Sequence, residues 1–248
     1  MLVGAASLPS APLLITDVGR GLGLSAQQLR ASVRRLARSL PVADVLVLVA
    51  AGHPALHDTV TADMAGLGYP NVRRNLDPCP AAITALSRLT QYPRVRRPRL
   101  PVDLGSLALL IDRSEPVVAL EVSATAEYPV LSAVGASVVT ALGDAGLQGN
   151  IVAAGDLSAG LHDGAPLAAI PGAPEWDARM VELHSRGRPK ELGELGPAEA
   201  ARVGAHGWAP LCVLQGASAC AGMTLTVRRY SAPRGAGYLM VSARRPAD

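Results

Sequence analysis

Apolar positions recur along this chain in two alternating periodicities. Leu2–Leu8, the run closing at Ala51, Val117–Ser123 and Asn150–Ala154 are near-continuous apolar stretches, the pattern of strands covered on both faces. Between the first two, Leu29, Val33 and Leu36 fall at helical spacing, with Arg30, Arg34, Arg35 and Arg38 on the other faces. Ser25 to Gln28 reads as a capping box opening that helix, which should end near Leu40, before Pro41. Leu131, Val134, Val138 and Leu142 mark a second stripe within Val130–Leu142. Further helices are expected over Pro80–Thr90, Val102–Asp112, Pro174–Arg186, Pro197–Gly204 and Trp208–Ala217. Thr224–Tyr230 and Tyr238–Ala243 read as two strands joined by an irregular loop. Strand, helix, strand implies right-handed parallel crossovers. The expected fold is one α/β domain over residues 1–248: a central, mostly parallel sheet flanked by helices, with a C-terminal antiparallel strand pair.

Composition narrows the functions. Phe is absent and aromatics are 3% of the chain, so the core must be Ala, Val, Leu and Ile, and aromatic stacking platforms for nucleic acid are not expected. No apolar run approaches the roughly 20 residues of a membrane-spanning helix, and Met1–Ala6 has no basic region of the signal-peptide kind. Cys79, Cys212 and Cys220 lack metal-type spacing and suit free thiols in a reducing cytoplasm. Charge is uneven. Seven arginines lie between Arg73 and Arg99 against one acid, Asp77, and a second cluster comprises Arg228, Arg229, Arg234, Arg244 and Arg245. Such clusters can contact phosphates, although a solvated face is the simpler account. The Pro- and Arg-rich stretch Tyr92–Pro101 reads as an exposed loop.

The polar chemistry concentrates at strand ends, where open α/β sheets place their ligands. The run Asn150–Ala154 delivers Gly155–Asp156–Leu157–Ser158–Ala159; glycine permits a tight turn, and Asp156 and Ser158 offer short hydrogen-bonding groups. Their expected work is to bond the turn and nearby amides. The second strand leads into Gly52–His53–Pro54, and His57 would share a face with His53 only on a helix. His162 and His184 read as surface groups, Trp176 as a packing anchor, and Cys212 and Cys220 as structural. Gly19–Arg20–Gly21–Leu22–Gly23 has neither the spacing nor the lysine of a phosphate-binding loop.

Several of these blocks together resemble the class III extradiol ring-cleavage dioxygenases, the catalytic-subunit family typified by protocatechuate 4,5-dioxygenase. Gly155–Asp156–Leu157–Ser158 is similar to that family's Gly-Asp-Leu-Ser-His block. Trp176–Asp177 falls where it has Phe-Asp, and Tyr230, Pro233, Gly235, Gly237 and Tyr238 resemble its C-terminal ending. The family holds non-haem Fe(II) by two histidines and a carboxylate, with open positions for a catecholate and O₂. By the resemblance, the first ligand would stand at Ser10, the second at His53, an active-site histidine at Leu104, another at Ala159, and the carboxylate at Ala205. Only His53 has the required side chain.

The resemblance therefore implies the scaffold without ring cleavage, and Fe(II) is not an expected cofactor. The leading expectation is a non-catalytic or diverged homologue, cytoplasmic, serving as a small-molecule-binding or protein-interaction scaffold. A homodimer is implied by the family alone, and neither nucleic acid nor membrane is an expected partner. One alternative is a metal-dependent enzyme with a rearranged site around His53, His206 and Asp156, His53 being the metal candidate. Another is phosphate or nucleic-acid binding through Arg73–Arg99.

Overall fold

The apolar runs form the inner strands of one sheet. The computed structural model describes residues 1–58, 60–188 and 191–244. In chain order its main elements are β1 (Leu2–Leu8), α1 (Leu24–Ser39), β2 (Val45–Gly52), β3 (Ala55–His57), β4 (Thr61–Met64) and β5 (Tyr69–Asn75). There follow α2 (Pro80–Thr90), β6 (Arg94–Val95), α3 (Val102–Ile111), β7 (Val117–Ser123), α4 (Tyr128–Asp144) and β8 (Gly149–Ala154). The chain then forms α5 (Ala173–Ser185), α6 (Leu192–Arg202), α7 (Trp208–Cys220), β9 (Thr226–Ser231) and β10 (Tyr238–Arg244).

The main sheet runs β6-β3-β7-β2-β8-β1-β10-β9. Strands β7, β2, β8 and β1 are mutually parallel. Their Val, Ala, Leu and Ile side chains are buried above and below, as the absence of alternation required. The C-terminal pair β9–β10 adds two antiparallel strands beside β1. Strand β8 sits between β1 and β2, so the first crossover through α1 skips a position that the chain fills later. Polar Ser7, Glu121 and Asn150 are also buried among these strands; Asn150 Nδ2 donates to the Pro41 carbonyl at 2.8 Å.

Two cores flank the sheet. One face carries α2, α4 and α5–α7, with Leu131, Val138, Met180 and Trp208 among its buried residues. The other carries α1 and α3, including Leu29, Val33, Leu104 and Leu107. Trp176 is buried in the first core, as a packing anchor should be.

The start of α1 differs from expectation. Gly23, in an extended conformation, occupies the cap, Ser25 lies inside the first turn, and Gln27 Nε2 instead donates to the Leu22 carbonyl at 2.7 Å. The loop Tyr92–Pro101 contributes the short strand β6, which pairs with β3. The β4–β5 hairpin follows no recognised pattern because β5 is mostly exposed and lacks an apolar face. His184, expected at the surface, is buried: its Nδ1 donates to the Met180 carbonyl at 2.8 Å, and burial lowers its pKa.

Helices α4 and α7 cross in close contact because each presents a glycine to the other. A Cβ at Gly135 would lie 2.1 Å from the Val213 carbonyl oxygen, and one at Gly216 would lie 2.2 Å from that of Ser132. Alanine is the better helix former by about 1 kcal/mol, yet here it has no room. Gly135→Ala is therefore expected to destabilise the protein by about 1–3 kcal/mol, read as a lower urea midpoint. An unchanged or higher midpoint would refute the tight crossing.

Candidate functional site

Diverging connections open a crevice at the carboxyl edge of β1 and β8. From β1 the chain leads to α1 on one face; from β8 it leads to α5–α7 on the other. Such divergence between neighbouring parallel strands is where open α/β sheets leave room for a ligand. The cleft has a volume of about 270 Å³. Ser10, Asp103, Asp156, His206 and Tyr238 give it polar groups. Ala159, Pro166, Leu167 and Ala236 supply apolar wall.

The turn after β8 is fixed from three sides. Gly155 N–H donates to the Leu8 carbonyl at 2.8 Å, and Leu239 N–H donates to the Gly155 carbonyl at 2.9 Å. A Cβ at Gly155 would stand 2.3 Å from the Leu239 oxygen, so β10 can approach only glycine. Gly207 N–H, just before α7, donates to the Asp156 carbonyl at 2.6 Å. Behind the turn, buried Asp177 of α5 accepts from Ser158 N–H at 3.0 Å and from the Tyr230 hydroxyl at 2.7 Å. Burial raises the Asp177 pKa, while those hydrogen bonds oppose the rise. Ser158 thus meets a carboxylate through its own amide, behind the cleft. Its buried hydroxyl finds no partner among the described residues and does not bond the turn as expected.

The Asp156 side chain bonds across to another loop and not within its own turn. Its Oδ2 accepts from both the backbone N–H (2.9 Å) and the hydroxyl (2.5 Å) of Ser10, tying the loop after β1 to the loop after β8. Burial pushes its pKa up to about 6; the Ser10 bonds oppose this, nearby Asp103 adds to it and His206 offsets it. Asp103, in the first turn of α3, is raised by burial, with His206 lowering it and Glu121 raising it. Burial and the adjacent Asp156 keep the Tyr238 phenol protonated far above its usual range. The cleft can therefore accept hydrogen bonds or a positive charge at its carboxylates, and can donate from Tyr238, both donors of Ser10 being given to Asp156.

Of the positions assigned by resemblance, Ser10 and Ala159 line this cleft. Leu104 and Ala205 are buried in the two cores, each adjacent in sequence to a lining residue, Asp103 or His206. His53 is exposed on the turn after β2 and does not line it. Of the proposed polar groups, Asp156 and His206 line the cleft and Ser158 does not. These residues do not fit Fe(II). A serine hydroxyl is a poor ligand and an alanine methyl is none. Among the described residues no group of three or more His, Cys, Asp or Glu is placed to hold a metal ion.

A second buried polar set escaped the sequence reading. His57 on β3 and Glu121 on β7 pair at 2.9 Å, with Arg97 3.9 Å from the same carboxylate oxygen. Strand geometry separates buried His57 from exposed His53. Glu121 occupies the space a side chain at Gly52 would need and adds its charge to the field at Asp103. A glutamate inside the apolar run Val117–Ser123 was the available signal, since acids are buried in strands only with partners.

The raised Asp156 pKa sets a direction for pH dependence. Between the ordinary value of 3.8 and about 6, the folded state holds a proton that the unfolded chain has lost. Stability falls as pH rises through that window. Asp156→Asn removes this titration and leaves an acceptor for Ser10. The variant's unfolding free energy relative to the parent is expected to improve by on the order of 2 kcal/mol between pH 4 and 7. A difference independent of pH, in denaturant titrations across that range, would contradict the assignment.

No family model and no curated protein matches this chain. Among solved structures, its fold is similar to that of the uncharacterized protein JW3007 from Escherichia coli K12. The TM-score is 0.65 at 16% identity, covering 97% of this chain and 99% of that one. The likeness is one of fold alone.

Proposed function

We propose that this chain is a non-catalytic, small-molecule-binding homologue of the class III extradiol dioxygenases. The observation that carries the reading is the meeting of Ser10, Asp156, Ala159 and His206 at one strand-edge cleft. Two of these residues, Ser10 and Ala159, stand where the resemblance calls for histidines. Apolar and hydrogen-bonding walls remain, but the donors for an open iron site do not. The ligand would be compact, with hydrogen-bond donors or a positive charge turned toward Asp103 and Asp156. A homodimer belongs to the same proposal and rests on the resemblance.

The alternatives draw less support. A rearranged metal site would need His53 beside His206 and Asp156, whereas His53 lies outside their cleft. In the Arg73–Arg99 segment, Arg74, Arg94, Arg97 and Arg99 face Asp112, Asp58, Glu121 and Asp63 respectively, so much of that charge is locally matched. Among the described residues no helix is long and apolar enough to cross a membrane.

The test is elemental analysis combined with a ring-fission assay. After incubation with Fe(II) and desalting, the protein is expected to retain far less than one metal per chain and to yield no ring-opened product from protocatechuate. Stoichiometric metal, lost in His206→Ala, would replace this reading with the metalloenzyme. Ring opening above the no-protein control would overturn it outright.

A further inference from the structure

A different cleft, between α1 and the C-terminal strand pair, gathers arginines, and no acid is among the described residues that line it. It has a volume of about 570 Å³, and Arg35, Arg228 and Arg229 reach it together with Ser32 and Ser242. Arg228 and Arg229 are consecutive on β9, and consecutive residues of a regular strand point to opposite faces. Here the register slips. Met240 pairs with Arg229 and Val241 with Val227, leaving Arg228 as an extra residue in the ladder. That is a β-bulge, which re-aims a side chain, and it turns both arginines toward one cleft.

Their contacts stop short of neutralising them. Arg228 Nε donates to Ser242 Oγ at 2.8 Å, and Arg229 Nη1 donates to Ser32 Oγ at 2.7 Å. Those hydroxyls orient the guanidiniums but carry no charge. Among the described residues, Arg35, Arg228 and Arg229 have no ion-pair partner. Other arginines of the molecule do find carboxylates, as Arg179 does with Glu182 and Glu191. Three like charges around a concavity repel one another, and a bound anion relieves that repulsion. Buried Leu36 and Met240 give the same cleft an apolar floor.

We propose that this cleft binds a small organic phosphate, a phosphomonoester whose apolar body rests on Leu36 and Met240. Guanidinium forks match phosphate oxygens in pairs, which a lone ammonium cannot do. The described residues lining the cleft include no aromatic side chain, so stacked bases of a nucleic acid have no platform among them. The site is separate from the Asp156 cleft and does not depend on the function proposed for it.

The experiment is calorimetric titration of the full chain at low ionic strength with phenyl phosphate, and with phenol as the uncharged control. Phenyl phosphate is expected to bind and phenol to give no detectable heat. Arg35→Ala should weaken binding roughly tenfold or more. Arg35 is exposed and its side chain makes no hydrogen bond to the described residues, so this variant should fold, and circular dichroism verifies that it does. Arg229→Ala should weaken binding at least as much. The proposal fails if the parent shows no binding at millimolar phenyl phosphate, or if both variants bind as the parent does. Much tighter binding of duplex DNA with a steep salt dependence, abolished by the same variants, would also overturn it in favour of nucleic acid.

Discussion

The bond between Asp156 and Ser10 joins the two halves of the cleft. Strands β1 and β8 lie side by side, but the chain leaves them toward opposite faces. Their ladder ends at the bond from Gly155 N–H to the Leu8 carbonyl, short of holding the two loops together. One carboxylate oxygen takes both donors of Ser10 and does so. The backbone amides around it are committed to β1, β10 and the start of α7. Asp156 is thus placed by its neighbours before it meets any ligand, at the expense of a pKa displaced toward neutrality.

The same economy of space recurs throughout the molecule. With no Phe to fill volume, packing depends on backbones coming close, and glycines mark where they do: Gly135 against α7, Gly216 against α4, Gly155 against β10. Close backbones leave small clefts. They also leave few places for charge, so buried acids are tied to specific donors. Asp177 takes Ser158 and Tyr230, while Glu121 takes His57. Where Arg35, Arg228 and Arg229 meet, between α1 and β9, no acid among the described residues lines the cleft.

Much of the architecture was readable from periodicity. The central strands had continuous apolar runs because both faces are covered, and α1 and α4 had stripes because only one side is. The β4–β5 hairpin was not readable, since exposed strands carry no such pattern. The strand-edge turn Gly155–Ser158 was visible as a candidate from its residues alone. Asp103 and Tyr238 were not, because nothing local marks a residue as facing a turn from a distant segment. His184 was misplaced for a similar reason: nothing in its own stretch marks it as turned inward on α5, where its Nδ1 donates to the Met180 carbonyl.

The sequence by itself determined the class of fold, the strand that ends in Asp156, and the lack of iron-binding side chains at four of the positions the resemblance assigns. These follow from local pattern and side-chain chemistry, which the chain carries without folding. Only the tertiary structure decided that Ser10, Asp103, Asp156 and His206 share a cleft while His53 stands outside it. It also decided that a single slipped register brings Arg228 and Arg229 to one side. Both outcomes depend on which strands become neighbours and in what register, and long-range pairing leaves no mark in a stretch of sequence read alone.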